Sequence, residues 1–417
     1  MKKLMMMAAM AAATMTAFAQ ENVVKEAKKL YGKGEVKAAL DMLNAGKDAG
    51  DAASKAAVYD LMSTIQYETY SKLYDAAVKS AITHEKVDSL TMFQNAVESW
   101  ENALKCDEFD QQPDAKGKVK PKYHSNAQNK FKTIGVALVQ GGQYFYGAKN
   151  NDMAIRMWKA YTGMRQSSLF KDVPAKDFPK EPFYNDIVYY TAFLSYQMKN
   201  YDDAIKYANM LIAEAPDKKA DADEIILFSM RDNCSTPQDS AKFKAYIMEQ
   251  HKNDVSNERF FNILIDFHNN DAPAAKESWL NEEIAINPQN KMVWAMKGEM
   301  KMNAEQWDEA IEAFKKAIEI DPTWAPCQFN TGVCYNSKAI ALNDQLMDKK
   351  TMGVTKENAE KVKAVLREGL TYLEKTRELD PDQQTCHWAY PLYRIYYSLG
   401  DKAKMAELEA LDPSLKQ

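Results

Sequence analysis

Apolar and polar positions recur with a helical period along most of the chain, most clearly between Lys291 and Trp324. Ile311, Phe314, Ala317 and Ile318 share one face of a 3.6-residue period, while Glu309, Glu312, Lys315, Lys316 and Glu319 fall elsewhere. Glu312 and Lys316 stand four apart in the order that favours a helix, worth about 0.3 kcal/mol. Pro322 cannot continue a helix and pushes Asp321 toward extended geometry, so the helix stops there. Upstream, Trp294, Gly298 and Met302 share a face of a preceding helix. Glycine inside a helix costs roughly 1 kcal/mol relative to alanine. The expected compensation is close approach of the returning helix, with Ala310 crossing at Gly298.

The same pattern recurs. Stepping back from Lys291 reaches Asn257, with Phe260, Leu264, Phe267, Trp279, Leu280 and Pro288; stepping forward reaches Ala325, with Gln328, Gly332 and Tyr335. From Asn185, the positions Val188, Ala192, Tyr201, Ala204, Leu211 and Pro216 keep the register. Gly142 with Ala154, Trp158 and Tyr161 repeats the offset between small residues, as do Ala27 and Ala39, and Ala403 and Ala410 close a last hairpin. No long alternating run suggests a strand. The chain is expected to be all-α, with eight or nine helical hairpins.

The places of Trp294, Gly298, Ala310, Phe314, Ala317 and Pro322, at a step of roughly 34 residues, are those of a tetratricopeptide repeat, and the stretch resembles that family. It departs at Lys297, where leucine is usual, and at Lys301, where tyrosine is usual. The resemblance implies a right-handed superhelical solenoid whose hairpins nest through small residues: Gly142, Ala154, Ala192, Ala204, Gly298, Ala310, Ala317, Gly332 and Gly369, with Pro322 as a helix stop.

Residues 20–166 form an N-terminal block, 167–184 a connector carrying Pro174, Pro179 and Pro182, and 185–417 a C-terminal superhelix. Two hairpins are longer than the rest. One spans Ala52 to Cys106; the other carries an insertion near 337–361, because Gly332 and Gly369 are much further apart than the usual offset. Shared between two helices, that insertion makes an arm on the order of 18 Å at 1.5 Å per residue, tipped by Met352, Gly353 and Val354. It reads as a self-packed extension or as a docking arm.

Residues 1–19 stand apart. Lys2 and Lys3, an apolar core from Leu4 to Thr16 and Ala17-Phe18-Ala19 before Gln20 have the form of a cleavable export signal. The apolar run is too short to span a bilayer comfortably. Removing it takes away two lysines and no acids, so the net charge falls from −5 to −7. The expected product is exported, periplasmic and not membrane-spanning. Its acidic balance argues against nucleic acid as a partner; Lys116, Lys118, Lys120 and Lys122 lie together in a connector without interleaved aromatics.

Motifs for phosphate, acyl-transfer or zinc chemistry are absent from the sequence. His84, His124, His251, His268 and His387 are scattered and read as surface or groove residues. Cys106, Cys234, Cys327, Cys334 and Cys386 read mostly as small buried hydrophobes, a Cys334–Cys386 bridge being an alternative. No cofactor, metal or catalytic residue is expected, and an enzyme is disfavoured.

The resemblance implies a concave groove lined by first helices. Its positions fall on Tyr189, Phe193 and Tyr196; on Phe261, Ile265 and His268; on Met292, Ala295, Glu299 and Met302; and on Phe329, Val333 and Asn336. Such an aromatic, Met-containing surface suits adaptable recognition, and many of these side chains equally suit packing on the next repeat. The set by which some family members clamp a chaperone's C-terminal carboxylate is not at these places. Two readings follow: a scaffold that binds a protein or peptide segment, and an envelope module that stacks small ligands or glycans on the aromatic groove. Self-assembly into a homo-oligomer is a third.

Overall fold

The structure is a computed structural model that describes residues 22–114, 116–178, 180–348, 350–351 and 353–416. The expected export signal lies outside them, as do Pro179 of the connector and Met352 of the arm. Every regular element among the described residues is helical, and the chain forms two compact units, up to Asp239 and from Ser240 onward.

The first unit runs α1 (22–32), α2 (Val36–Gly46), α3 (Ala52–Thr83), α4 (Ser89–Asp110), α5 (His124–Phe131), α6 (Ile134–Gly147), α7 (Asn151–Gly163), α8 (Tyr184–Gln197), α9 (Tyr201–Glu214) and α10 (Lys219–Asp232). Consecutive helices pack on one another, and α8 also touches α10 across the hairpin between them. The helix α11 (Pro237–Asn253) opens at the boundary. The second unit continues with α12 (Glu258–His268), α13 (Pro273–Ile286), α14 (Lys291–Asn303), α15 (Trp307–Ile320), α16 (Ala325–Leu346), α17 (Lys356–Leu379), α18 (Ala389–Leu399) and α19 (Lys402–Leu411). There the first helices α14, α16 and α18 touch in succession.

The backbone repeats more faithfully than the side chains do. Five hairpins turn through a residue of positive φ just before the second helix: Gly34, Lys149, Lys199, Glu305 and Gly400. In each, the next amide donates to the carbonyl five residues back, as Asn150 to Phe145 at 2.9 Å, Asn200 to Ser195 at 2.9 Å and Gln306 to Lys301 at 2.9 Å. This is a Schellman closure, which satisfies otherwise orphaned carbonyls at the helix end. Asn150, Asn200 and Asp401 then cap the second helix with their side chains. Five helices end alike. Ala215, Asn287, Asp321, Asp380 and Asp412 hold φ between −139° and −133°, each directly before a proline that excludes helical geometry.

Among the small residues, Ala154, Ala192, Ala204, Ala310 and Ala317 have no exposed surface. The partner of Gly298 differs from the expectation. A Cβ there would lie 2.6 Å from Cδ1 of Phe314, so the glycine makes room for a ring and not for Ala310. Gly142 does the same for Trp158, whose Nε1 would be 2.1 Å away. Where Gly332 faces Gly369 two backbones do approach, each carbonyl standing 3.2–3.3 Å from the other glycine's would-be Cβ.

Both long hairpins form. The pair α3 and α4 has 32 and 22 residues; α16 and α17 have 22 and 24, against 13 and 14 in α14 and α15, so the insertion lengthens both helices. The connector is irregular but not detached. Phe170 is buried between Trp100 and Phe178, at ring distances of 5.9 and 4.4 Å, and the two compact units divide at Asp239 instead. All five cysteines are free. Burial pushes the Cys327 and Cys334 thiols up to about 12, and Cys234 is exposed.

Candidate functional site

Tyr189, Phe193 and Tyr196 lie at i, i+4 and i+7 on α8 and therefore share one face. Their opposite number is a face of α10 carrying Asp221, Glu224, Ile225, Phe228 and Arg231. Together the eight side chains line an open cleft of about 280 Å³. The spacing of α9, which packs on both α8 and α10, holds the two walls apart. The Tyr189 and Phe193 rings stack at 6.1 Å with planes 10° apart, and Tyr196 meets Phe228 at 6.4 Å.

The polar groups of the cleft are held at fixed places. At one end the Tyr196 hydroxyl donates to Asp232 at 2.8 Å, and Arg231 Nε donates to the same carboxylate at 2.9 Å while its guanidinium lies 4.9 Å over the Phe228 ring. The hydrogen bond to Asp232 raises the Tyr196 phenol above its ordinary value, and the Arg231 contact holds Asp232 below the usual carboxylate range. At the other end Tyr189 is raised first by burial and then by the charge of Asp221.

The remaining expected groove positions lie in the second unit and are not alike. Phe261 and His268 point inward, which corrects their reading as groove residues. Phe261 stacks on Trp279 at 6.0 Å and the His268 ring lies flat on the same indole at 4.3 Å. Ala295 is also buried. Met302 and Phe329 are half-buried against hydrophobic clusters of their own unit. Ile265, Val333 and Asn336 are half-buried, and Met292 and Glu299 are exposed.

Sequence reasoning missed the whole α10 wall. No groove position is assigned on this helix, and a 34-residue step from Tyr189, Phe193 and Tyr196 lands on 223, 227 and 230, each one residue short of the wall. The signal that would have found the wall is local: 221, 224, 225, 228 and 231 all fall on one helical face. His251, expected at the surface or in a groove, is instead buried, with its Nε2 2.8 Å from Glu283, whose other oxygen accepts from Trp279 Nε1 at 3.2 Å. Four-residue spacing on α13 brings that indole to the carboxylate.

Residues 292–324, from the first-helix turn after Lys291 to the end of the Asp321-Pro322 stop, match the family model described as tetratricopeptide repeat. That stretch is a tetratricopeptide repeat, set in a chain whose described elements are all helical. Repeats of this kind are protein-interaction scaffolds. Among solved structures, the chain is similar to the MamA protein, at 16% identity over 60% of this chain and 93% of that one, with a TM-score of 0.20. It is similar to a TPR repeats protein of Bacteroides fragilis NCTC 9343, at 14% identity over 66% and 98%, with a TM-score of 0.27. The TPR2AB domain of yeast Sti1, in its complex with pHSP90, is 15% identical over 64% and 99%, with a TM-score of 0.23. No curated protein matches the chain.

Proposed function

We propose that this protein is a non-catalytic interaction scaffold of the bacterial periplasm or cell envelope, and that it takes up a peptide segment of a partner protein in the α8/α10 cleft. One observation carries the reading: three aromatic positions assigned to a groove by repeat register stand on the wall of an open cleft. An open, elongated surface of rings and fixed polar groups suits an extended segment or a helix. The test is the double variant Tyr189→Ala/Phe193→Ala. Photo-crosslinking from this face in intact cells captures a partner with the parent chain and loses it with the variant, while helicity is unchanged; equal capture by both removes the cleft from the proposal. Export is tested separately, since N-terminal sequencing of the cellular protein starts at Gln20 if residues 1–19 are cleaved.

A glycan-binding module is the second reading, favoured by exposed rings beside the cleft. Tyr146 and Tyr190 are 46% and 48% exposed and flank Trp158 at ring distances of 5.8 and 5.9 Å. Oligosaccharides that raise the melting temperature where peptides do not would decide for it.

A further inference from the structure

We infer that the lysine-bearing connector before α5 attaches the protein to an anionic phospholipid surface. This surface is separate from the cleft proposed above for a peptide. Lys116, Lys118, Lys120 and Lys122 occupy every second position of one irregular segment, and all four are exposed. Among the described residues, no carboxylate pairs with the ammonium groups of Lys116, Lys118 and Lys120, while Lys122 Nζ lies 5.1 Å over the Tyr123 ring. The two acids beside these lysines hold the backbone. Asp110 accepts from the amides of Lys122, Tyr123 and His124 at 2.9, 2.7 and 3.2 Å, and Asp114 from those of Lys116 and Lys118 at 2.8 and 3.0 Å. Gly117, at φ 75°, closes the turn by donating to the Asp114 carbonyl at 2.8 Å. The ammonium groups therefore extend from an anchored backbone, and four lysines against two aspartates leave the segment net positive. Lys28 of α1 and Lys130 of α5 add positive charge nearby, since both act on Asp60 as Lys122 does.

The chain as a whole is acidic, with 59 Asp and Glu against 54 Lys and Arg. Beyond about 8 Å, however, charges are largely screened at physiological salt, so the local lysines and not the net charge govern contact with a surface. Each lysine brought to an anionic bilayer strengthens attachment about fivefold, so four are worth a factor on the order of several hundred. Val119, between Lys118 and Lys120, is 51% exposed. It supplies an aliphatic side chain that enters the boundary between headgroups and acyl chains while the lysines stay among the phosphates. The same features disfavour other polyanions. No ring stands between these lysines, so a single-stranded nucleic acid finds no stacking platform. The segment is a turn about Gly117 and not a groove, so an acidic peptide finds no seat for its own apolar side chains. A bilayer asks only for clustered positive charge and an aliphatic contact.

The experiment measures co-sedimentation of the chain, in the form the cell processes it, with vesicles of phosphatidylcholine alone or mixed with phosphatidylglycerol. The anionic vesicles are expected to hold the parent chain at least about tenfold more tightly than the neutral ones, with the advantage falling as salt rises. The variant Lys116→Gln/Lys118→Gln/Lys120→Gln/Lys122→Gln is expected to lose at least about tenfold in attachment to anionic vesicles, with an unchanged circular dichroism spectrum. The control Lys171→Gln/Lys176→Gln/Lys252→Gln/Lys356→Gln removes exposed lysines elsewhere at the same net charge, and is expected to stay within about threefold of the parent. Equal attachment to the two kinds of vesicle, or to neither, overturns the inference. Equal loss in the two variants overturns it in favour of net charge alone. Binding of inorganic polyphosphate without attachment to vesicles overturns it in favour of a soluble polyanion. None of these outcomes touches the peptide cleft, whose own test is capture by the Tyr189 and Phe193 face.

Discussion

Substituting Gly298 by alanine tests the packing rule on which the hairpins depend. In an unconstrained helix interior the change is favourable by up to about 1 kcal/mol, because alanine loses less backbone entropy. Here the new methyl would stand 2.6, 2.7 and 2.8 Å from Cδ1, Cε1 and Cγ of Phe314. Carbon atoms pack near 3.5–4.0 Å, so the ring must retreat by roughly 1 Å. Phe314 is fully buried among Ala310, Ile311, Ala317 and Cys334 and has no free side to move into. Overpacking of this kind costs about 1–3 kcal/mol, which outweighs the propensity gain and predicts a net loss of about 1 kcal/mol. Gly163→Ala is the control. Gly163 closes α7 at φ −82° with nothing within 4 Å of a Cβ, so it is neutral or gains a few tenths of a kcal/mol. Urea unfolding followed at 222 nm, comparing midpoints at constant slope, measures both. Equal stabilisation by the two substitutions would refute the argument, because it would mean that Phe314 yields freely. Phe314→Leu in the Gly298→Ala background should recover part of the loss, as the smaller side chain vacates the space.

Three further outcomes follow from the same geometry. Lys199→Gly should stabilise the first unit by about 0.5–1 kcal/mol in urea unfolding, because Lys199 holds φ at 59°, where a Cβ is strained. Glu283→Leu should cost on the order of 2–4 kcal/mol, since His251 Nε2 and Trp279 Nε1 lose a buried acceptor, whereas Glu283→Gln should cost less. Asp321 is held down to about 2 by Lys291 and by Thr323. A carboxylate with a depressed pKa contributes stability that is present above its ordinary value near 4 and lost as pH falls toward 2, so an acid titration of Asp321→Asn should lack that component between about pH 4 and pH 2.

Much of the helical architecture is legible in the residues because each hairpin carries local signals. Amphipathic faces, Xaa-Pro stops and buried alanines depend only on spacing along one or two helices, and the α14/α15 pair shows all three. The αL turns are less legible. Lys149, Lys199 and Glu305 occupy positions where glycine or asparagine would announce a turn, and hydrogen bonds closing the helix end hold them there. The α8 wall of the cleft is readable from register, but the α10 wall is not, because a repeat step from α8 lands one residue away from the face that lines the cleft.

What the sequence alone determines is therefore the set of helices, their Xaa-Pro stops and the positions that must be small, since steric limits on glycine, alanine and proline act within a few residues. The tertiary structure decides which partner fills each gap: Phe314 rather than Ala310 at Gly298, Trp279 over His268 and Phe261, and the α10 carboxylates opposite Tyr189. Those choices depend on ring size and on helix separation across a hairpin, which no spacing along one helix encodes.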